Sequence, residues 1–168
     1  MLHLIIPGLY GYIGHLGKEK GIAAFDLGDT IISKMDDYWY FLPNRISILK
    51  KYQEAGYTLV IFANSRKEVI PYINNMISVL KDNNIYPWVF VSTGKNIYHK
   101  PNIGMWNIFL HYYKEYIKYF DIRGHSLDIS LSFFVGNKAG RSNDRGNTDR
   151  DFANNIGMPF YTPEDIFI

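Results

Sequence analysis

Four short apolar runs have the composition of buried β-strands. Each of them breaks into polar or glycine-containing sequence at its carboxyl end, and they cover residues 22–26, 57–63, 88–91 and 131–135. Runs that are apolar at nearly every position are typical of strands buried on both faces of a parallel sheet. A further short strand is predicted from Leu2 to Pro7, and the glycine-rich segment after it is predicted to be a connection whose glycines serve turns.

Segments with helical spacing of apolar residues separate these runs. A helix that opens at Pro43 and stops at Gly56 comes first, and three more are predicted at about 68–82, 101–119 and 151–156. The aromatic stripe of the third helix is explained by burial, within the chain or between subunits, and base stacking is not needed to account for it. Strands that alternate with helices indicate βαβ crossovers, and therefore an α/β fold with a parallel sheet covered by helices on both faces.

The composition narrows the class of protein. The 168 residues are 47% hydrophobic, carry a net charge of +2 and contain no cysteine. We expect one domain over residues 1–168, without a transmembrane run or a convincing signal peptide. The absence of cysteine excludes disulfides and thiolate sites, and it is compatible with a reducing compartment without establishing one. The net charge is too small to indicate a polyanion partner for the molecule as a whole.

Polar residues follow the predicted strands at one edge of the sheet. Asp26 and Asn64 end the first two buried runs, a loop that reaches Lys100 follows the third, and Asn137 follows the fourth. Ligands of open α/β sheets bind at this edge. The Asp26 carboxylate is therefore a candidate for attack on a phosphate or for binding a divalent cation. Capping of the following turn is the simpler alternative.

Five segments carry a resemblance to a known family: FDLGDTII, LVIFANS, YHKPNIGMW, FFVGNKAGR and TDRDFANNIGMPFYTPEDIF. They resemble the 3′-phosphatase domain of the polynucleotide kinase/phosphatase family, in the haloacid dehalogenase superfamily, from about Gly21 to the end. The resemblance implies a three-layer Rossmann-like fold, an intracellular location (cytoplasmic or nuclear) and Mg²⁺-dependent removal of a phosphate from DNA 3′ ends. No GxxxxGK[ST] pattern is present, so no kinase site is expected in this sequence.

The resemblance also implies roles for individual residues. Asp26 matches the nucleophile that forms an aspartyl-phosphate, Thr30 closes the same motif, and Lys100 neutralises charge on the phosphoryl group. The implied metal ligands are Asp26, the backbone oxygen of Gly28, Asn137 and Asp149. Contacts to the substrate are expected from polar and basic residues near the strand ends: Asn64, Ser65, Arg66, Lys138, Arg141 and Arg145. A solvated loop of mixed charge is the alternative for the last three.

The departures from the family pattern fall on catalytic positions. The family sequence is D-x-D-G-T, whereas here the second acid and the glycine are exchanged to give Gly28-Asp29. Ala63 replaces a hydroxyl residue that holds the phosphate, and Asn137 replaces a metal-binding aspartate. Loss of a general acid costs about 10²–10⁴ in rate. Asp29 takes over that role only if the turn is shifted.

Two functional hypotheses follow. The first is a domain with lost or strongly reduced phosphatase activity that binds nucleic-acid 3′ ends, or a protein partner, with no metal required. The second is an active Mg²⁺-dependent DNA 3′-phosphatase that uses Asp26. His99, beside Lys100, is more simply structural than catalytic. Oligomeric state, the preference for DNA or RNA, and the partner proteins are left open.

Overall fold

The computed structural model describes all 168 residues, and its elements alternate as the hydrophobic pattern predicts. The strands are β1 (His3–Ile6), β2 (Leu9–Tyr12), β3 (Ile22–Phe25), β4 (Ile32–Met35), β5 (Tyr38–Phe41), β6 (Thr58–Asn64), β7 (Trp88–Ser92), β8 (Phe133–Val135) and β9 (Phe160–Tyr161). The α-helices are α1 (Arg45–Glu54), α2 (Ile70–Asp82), α3 (Gly104–Tyr119), α4 (Thr148–Ile156) and α5 (Pro163–Ile166). Single 3₁₀ turns lie at Lys67–Val69 and Ile129–Leu131.

Seven strands form one sheet in the order β1-β2-β7-β6-β3-β8-β9, and β4 pairs with β5 in a separate hairpin. Within this sheet the five strands β7, β6, β3, β8 and β9 run parallel to one another. Strand β2 is antiparallel to both β7 and β1. The α/β Rossmann-like fold is therefore confirmed, with a parallel core and an antiparallel hairpin along one edge. None of the helices is both long enough and apolar enough to cross a lipid bilayer.

Two apolar clusters cover opposite faces of the sheet. Successive side chains of a strand point to opposite faces, so Ala23 and Phe25 join one cluster while Ile22 and Ala24 join the other. The first cluster includes buried side chains of α1 and α2, and the second includes those of α3 and α4. This double coverage explains why the central strands are apolar at every position. The stripe of α3 is core packing for Trp106, Phe109 and Tyr113, whereas Tyr119 is 83% exposed.

The structure differs from the sequence prediction in several places, among them the start of α3, at Gly104 instead of Pro101, and the start of β8, at Phe133 instead of Leu131. The glycine-rich connection contains β2, whose Gly11 fits because a side chain there would collide with Ile5 and Phe90. The β4–β5 hairpin and the elements β9 and α5 were not predicted, because they are too short to show a clear period. Finally, α4 begins at Thr148 instead of Asp151, which places Asp149 in its first turn.

Candidate active site

A tight turn after β3 presents Asp26 at the carboxyl edge of the sheet. The Asp26 amide donates to the Val135 carbonyl of the neighbouring strand at 2.8 Å, which fixes where the strand ends. The Leu27 carbonyl then accepts the amides of the three residues 30–32. Arg45 Nε donates to the Thr30 carbonyl at 2.8 Å and so ties the turn to α1. The turn is held by these backbone hydrogen bonds and by Arg45, so it does not depend on the Asp26 side chain as a cap.

Asp26, Lys100 and Asp149 form a buried ion network. Lys100 Nζ donates to Asp26 Oδ1 at 2.7 Å and to Asp149 Oδ1 at 2.8 Å. The three residues are 8%, 1% and 1% exposed, so solvent screens these contacts little. The other Asp149 oxygen accepts the Lys138 amide at 3.0 Å, and Thr30 Oγ1 donates to Asp26 Oδ2 at 3.3 Å. The structure thus brings together four residues that come from three separate segments of the sequence.

The environment shifts the pKa values of this network. Burial, with a further contribution from the Asp149 carboxylate, raises the pKa of Asp26 to about 6, although the Lys100 ammonium acts in the opposite direction. Burial alone would lower the pKa of Lys100, but the two carboxylates outweigh it and hold this pKa above its usual value. Lys100 is therefore a permanent cation at neutral pH, placed where a phosphoryl group beside Asp26 would lie within its field.

Two residues position this network without entering it. The Asn64 side chain accepts the Lys100 amide at 2.9 Å and donates to the Lys100 carbonyl at 3.1 Å, so both ends of its amide hold the lysine backbone. Gly136 lets α4 approach the sheet, because a Cβ there would lie 2.5 Å from the Cβ and Cγ of Asp149. Sequence reasoning predicted a substrate contact for Asn64 and assigned nothing to Gly136. The only sequence feature that could have indicated a role for Gly136 is its place in the VGNKAGR segment, which carries part of the family resemblance.

The exchanged pair Gly28-Asp29 has a clear conformational signature. Asp29 has φ 58°, a left-handed conformation that glycine adopts without steric cost, whereas Gly28 is outside that region. A Cβ added at Gly28 meets no atom within 4 Å. Asp29 is exposed, and its one side-chain hydrogen bond is accepted from Ser33 Oγ at 2.7 Å. The turn is not shifted in the way that would bring the Asp29 carboxylate into the network.

The oxygens around Asn137 suit a hard divalent cation. The inward-facing atom of its amide lies 3.0 Å from Asp26 Oδ2 and 3.3 Å from the Gly28 carbonyl oxygen. Carboxylate, amide and backbone carbonyl oxygens are the ligands that a hard cation such as Mg²⁺ prefers, so the chemistry of these three groups fits that ion. Asp26, Gly28 and Asn137 would hold it, and the ion would supply charge stabilisation to a phosphate. Both oxygens of Asp149 are already engaged, and no group of three acidic or histidine side chains converges anywhere.

A polar cavity of about 350 Å³ adjoins this network and is lined without any hydrophobic residue. Its lining residues come from the ends of β6, β7 and β8 and from the start of α4: Asn64, Ser65, Arg66, Thr93, Gly94, Lys95, His99, Lys138 and Thr148. The sequence predicted substrate contacts for Asn64, Ser65, Arg66 and Lys138 of this lining. It did not predict one for Lys95, which lies in the polar loop after β7. Burial lowers the pKa of His99, and the nearby Lys100 lowers it further, which keeps this imidazole neutral.

Two basic residues expected at the substrate lie outside this cavity. Arg141 donates to Asp144 at 2.9 Å and to Glu164 at 2.8 Å, and its pKa is raised by these two hydrogen bonds. It also donates to the Asn137 carbonyl at 3.4 Å, so it braces the loop that carries Asn137. Arg145 is exposed and makes no ion pair within 4 Å.

Comparison with known proteins agrees with this geometry. A family model described as polynucleotide kinase 3 phosphatase matches residues 21–167. The chain is 35% identical over 179 residues to an uncharacterized 20.8 kDa protein of Autographa californica nuclear polyhedrosis virus, covering 94% of this chain and 92% of the viral protein. It is 34% identical over 170 residues to the bifunctional polynucleotide phosphatase/kinase of Schizosaccharomyces pombe, covering 92% of this chain but 39% of the yeast protein.

The fold has counterparts among solved structures. A HAD-like phosphatase candidate from Mesorhizobium loti matches with a TM-score of 0.63 and 17% identity, over 92% of this chain and 78% of that one. At this identity the likeness concerns the fold alone. The family match, by contrast, spans all the segments that build the candidate site, and the chain belongs to the polynucleotide kinase 3 phosphatase family.

Proposed function

We propose that this chain binds the 3′ ends of nucleic acid in a phosphatase-derived site whose hydrolytic step is lost or strongly reduced. The observation that carries the proposal is the turn at residues 28–29. Gly28 offers open space where the family pattern has an acid, and Asp29 is held outward by Ser33. The resemblance to the family supplies the substrate class, and the names of the relatives support a polynucleotide.

The chemistry of the leaving group explains why the turn matters. In the family reaction a carboxylate oxygen attacks phosphorus, the bond from phosphorus to the 3′ sugar oxygen breaks, and that oxygen takes a proton. Without a placed proton donor the leaving group departs as an alkoxide, which costs about 10²–10⁴ in rate. Ala63 stands where the family has a hydroxyl residue. Its methyl group cannot donate a hydrogen bond to a phosphate oxygen, so a second catalytic group is missing. Asp26 alone therefore supports slow chemistry at most.

The polar cavity beside the network supports the binding part of the proposal. Arg66, Lys95 and Lys138 surround the polar cavity, and no acidic side chain lines it. A cavity with this lining favours a phosphate of the nucleic-acid backbone beside the Asp26 network. The neutral His99 adds a polar group without adding charge. We infer an intracellular setting from the substrate class, and the chemistry of the cavity distinguishes neither DNA from RNA nor one protein partner from another.

An activity assay tests the catalytic part of the proposal. Purified protein with Mg²⁺ and a 3′-phosphorylated oligonucleotide should release little phosphate. The variant with Gly28→Asp, Asp29→Gly, Ala63→Thr and Asn137→Asp should release at least about 10²-fold more. Asp26→Asn in that background should abolish the gain. Rapid release by the wild type that Asp26→Asn abolishes would refute the proposed loss of activity.

A binding assay tests the other part. We expect affinity for a single-stranded 3′ end that falls with salt, with a slope that decreases by about 0.7 for each phosphate contact removed. Arg66→Ala and Lys95→Ala should each reduce affinity and slope. Arg123→Ala is the matched control, since this residue is exposed, pairs with Asp121 and lies outside the cavity. Binding that ignores salt, or that responds equally to Arg123→Ala, would count against the cavity as the binding site.

An active Mg²⁺-dependent 3′-phosphatase is the second candidate. It is favoured by one observation: the network of Asp26, Lys100 and Asp149 is complete and tightly hydrogen-bonded. In that case an aspartyl-phosphate would form on Asp26, with Lys100 stabilising the transferred group. Turnover by the wild type in the activity assay separates this candidate from the first, because the binding assay gives the same result for both.

A further inference from the structure

The two groups nearest to the inward-facing atom of the Asn137 amide only accept hydrogen bonds, and the Thr30 hydroxyl lies just beyond them at 3.4 Å. Its inward-facing atom is 3.0 Å from Asp26 Oδ2 and 3.3 Å from the Gly28 carbonyl oxygen. An amide oxygen at this point would face Asp26 Oδ2 and the Gly28 carbonyl oxygen with no hydrogen between them. The single proton of Thr30 Oγ1 can go to this atom or to Asp26 Oδ2 at 3.3 Å, but it cannot serve both. The amide nitrogen carries two protons and supplies one to each acceptor. Without a cation between these groups, the nitrogen is therefore the atom that faces Asp26 and Gly28.

This orientation completes the hydrogen bonding of Asp26. Oδ1 accepts from Lys100, while Oδ2 accepts from Thr30 Oγ1 and from the Asn137 amide nitrogen. The backbone amide of Asn137 in turn donates to Thr30 Oγ1 at 3.2 Å. Both oxygens of the Asp26 carboxylate are therefore held by hydrogen-bond donors of the protein, without a cation.

We propose that the Asn137 amide is a reversible substitute for a divalent cation. With the nitrogen inward, it bridges Asp26 and Gly28 as a cation would. When a cation binds, the amide turns by 180° and its oxygen becomes the third ligand. An ionised aspartate at position 137 could not form the metal-free arrangement, because its carboxylate oxygens accept hydrogen bonds and cannot donate them. The inference deepens the proposed function by describing how the same site responds to metal, but it rests on these contacts and not on hydrolysis.

Two consequences follow for cation binding. A cation must displace two hydrogen bonds before it meets its ligands, so the wild type binds Mg²⁺ weakly and keeps Asp26 ordered without it. Asn137→Asp adds a charged ligand and should bind Mg²⁺ about 10-fold or more tightly than the wild type. Without a cation, the same variant places two carboxylates against each other, so its folded state is destabilised.

Thermal unfolding measures both effects without any substrate. The wild type should unfold at nearly the same temperature in EDTA and in MgCl₂ at matched ionic strength. Asn137→Asp should unfold several degrees lower in EDTA and recover in MgCl₂. Asn75→Asp is the charge control, because Asn75 is exposed in the middle of α2 and makes no side-chain hydrogen bond. Equal Mg²⁺ shifts for the wild type and Asn137→Asp, or equal stability of the two in EDTA, would overturn the inference.

A measurement on the wild type decides the matter if Asn137→Asp does not fold in either buffer. The side-chain NH₂ of Asn137, assigned by its loss in Asn137→Ala, should exchange slowly with solvent in EDTA. Its resonances should move on titration with MgCl₂. Rapid exchange in EDTA would show that the nitrogen does not face Asp26. Failure of the oligonucleotide assays would leave these results unchanged, so the proposed function and this inference can fail separately.

Discussion

At the residue scale, the backbone at positions 28 and 29 suits the opposite order of side chains. Asp29 occupies a left-handed conformation with φ 58°, whereas Gly28 is outside the left-handed region and a Cβ added there would meet no atom within 4 Å. The double variant Gly28→Asp, Asp29→Gly should therefore be at least as stable as the wild type, with a gain of about 0.4–1 kcal/mol from the first change. Urea denaturation of the wild type, the double variant and each single variant measures this.

The single variants supply the control. Asp29→Gly removes the Ser33 hydrogen bond as well as the strained φ, whereas Ser33→Ala removes the hydrogen bond alone. The difference between them isolates the backbone contribution. A double variant that is less stable than the wild type by more than about 1 kcal/mol would show that the turn has adapted to the present order.

The residue scale also shows how far sequence reasoning reached. Asp26, Thr30, Lys100 and Asp149 were placed in one site by resemblance, and the structure brings them together. The sequence predicted that Asp29 reaches the site only through a shifted turn, but not what holds it outward, which is one φ angle and one hydrogen bond to Ser33. The roles of Asn64 and Arg141 in holding backbone were also missed. A polar residue near a strand end looks identical in sequence whether it faces the ligand or the loop beside it.

At the element scale, the approach of α4 to the sheet determines whether Asp149 reaches Lys100. Gly136→Ala should push the first turn of α4 outward, since the added Cβ would lie 2.5 Å from Asp149, and overpacking of this kind costs about 1–3 kcal/mol. Gly94→Ala is the matched control, because its Cβ would meet its nearest neighbour at 3.7 Å. Chemical denaturation of both variants tests the effect, and equal losses would mean that the contact is relieved at little cost.

The same scale explains the remaining errors of prediction. The long central strands and helices were predicted correctly because burial on both sides leaves a strong apolar signal. In the β4–β5 hairpin, burial changes gradually along each four-residue strand, so buried and exposed side chains do not alternate. Strand β9 has only two residues, which is too short for an alternating pattern. The start of α4 was placed three residues late because residues 148–150 are polar, although this is the turn that carries Asp149.

At the scale of the whole molecule, we propose that residues 1–168 form one domain, supported by a sheet that runs from β1 to β9. One contact group ties distant segments together on the side of α3. Tyr113 Oη and His125 Nδ1 are 2.6 Å apart, and His125 Nε2 is 3.1 Å from the Gly17 carbonyl oxygen. The second contact requires the imidazole to donate from Nε2, so Nδ1 accepts from the tyrosine. The N-terminal segment, α3 and the loop after it are thereby joined.

This group predicts a loss of stability at alkaline pH. Burial raises the pKa of Tyr113 to about 12, from about 10 in the unfolded chain. The folded state then holds this proton more tightly, so the contribution is fully present below pH 10 and is lost as the pH rises towards 12. The stability of the wild type relative to Tyr113→Phe should fall by about 1.4 kcal/mol between pH 9 and pH 11, measured by urea denaturation. Tyr119→Phe, at an 83% exposed site, is the control for loss of a hydroxyl. An unchanged difference between the wild type and Tyr113→Phe would mean that Tyr113 ionises as easily in the folded protein as in the unfolded chain.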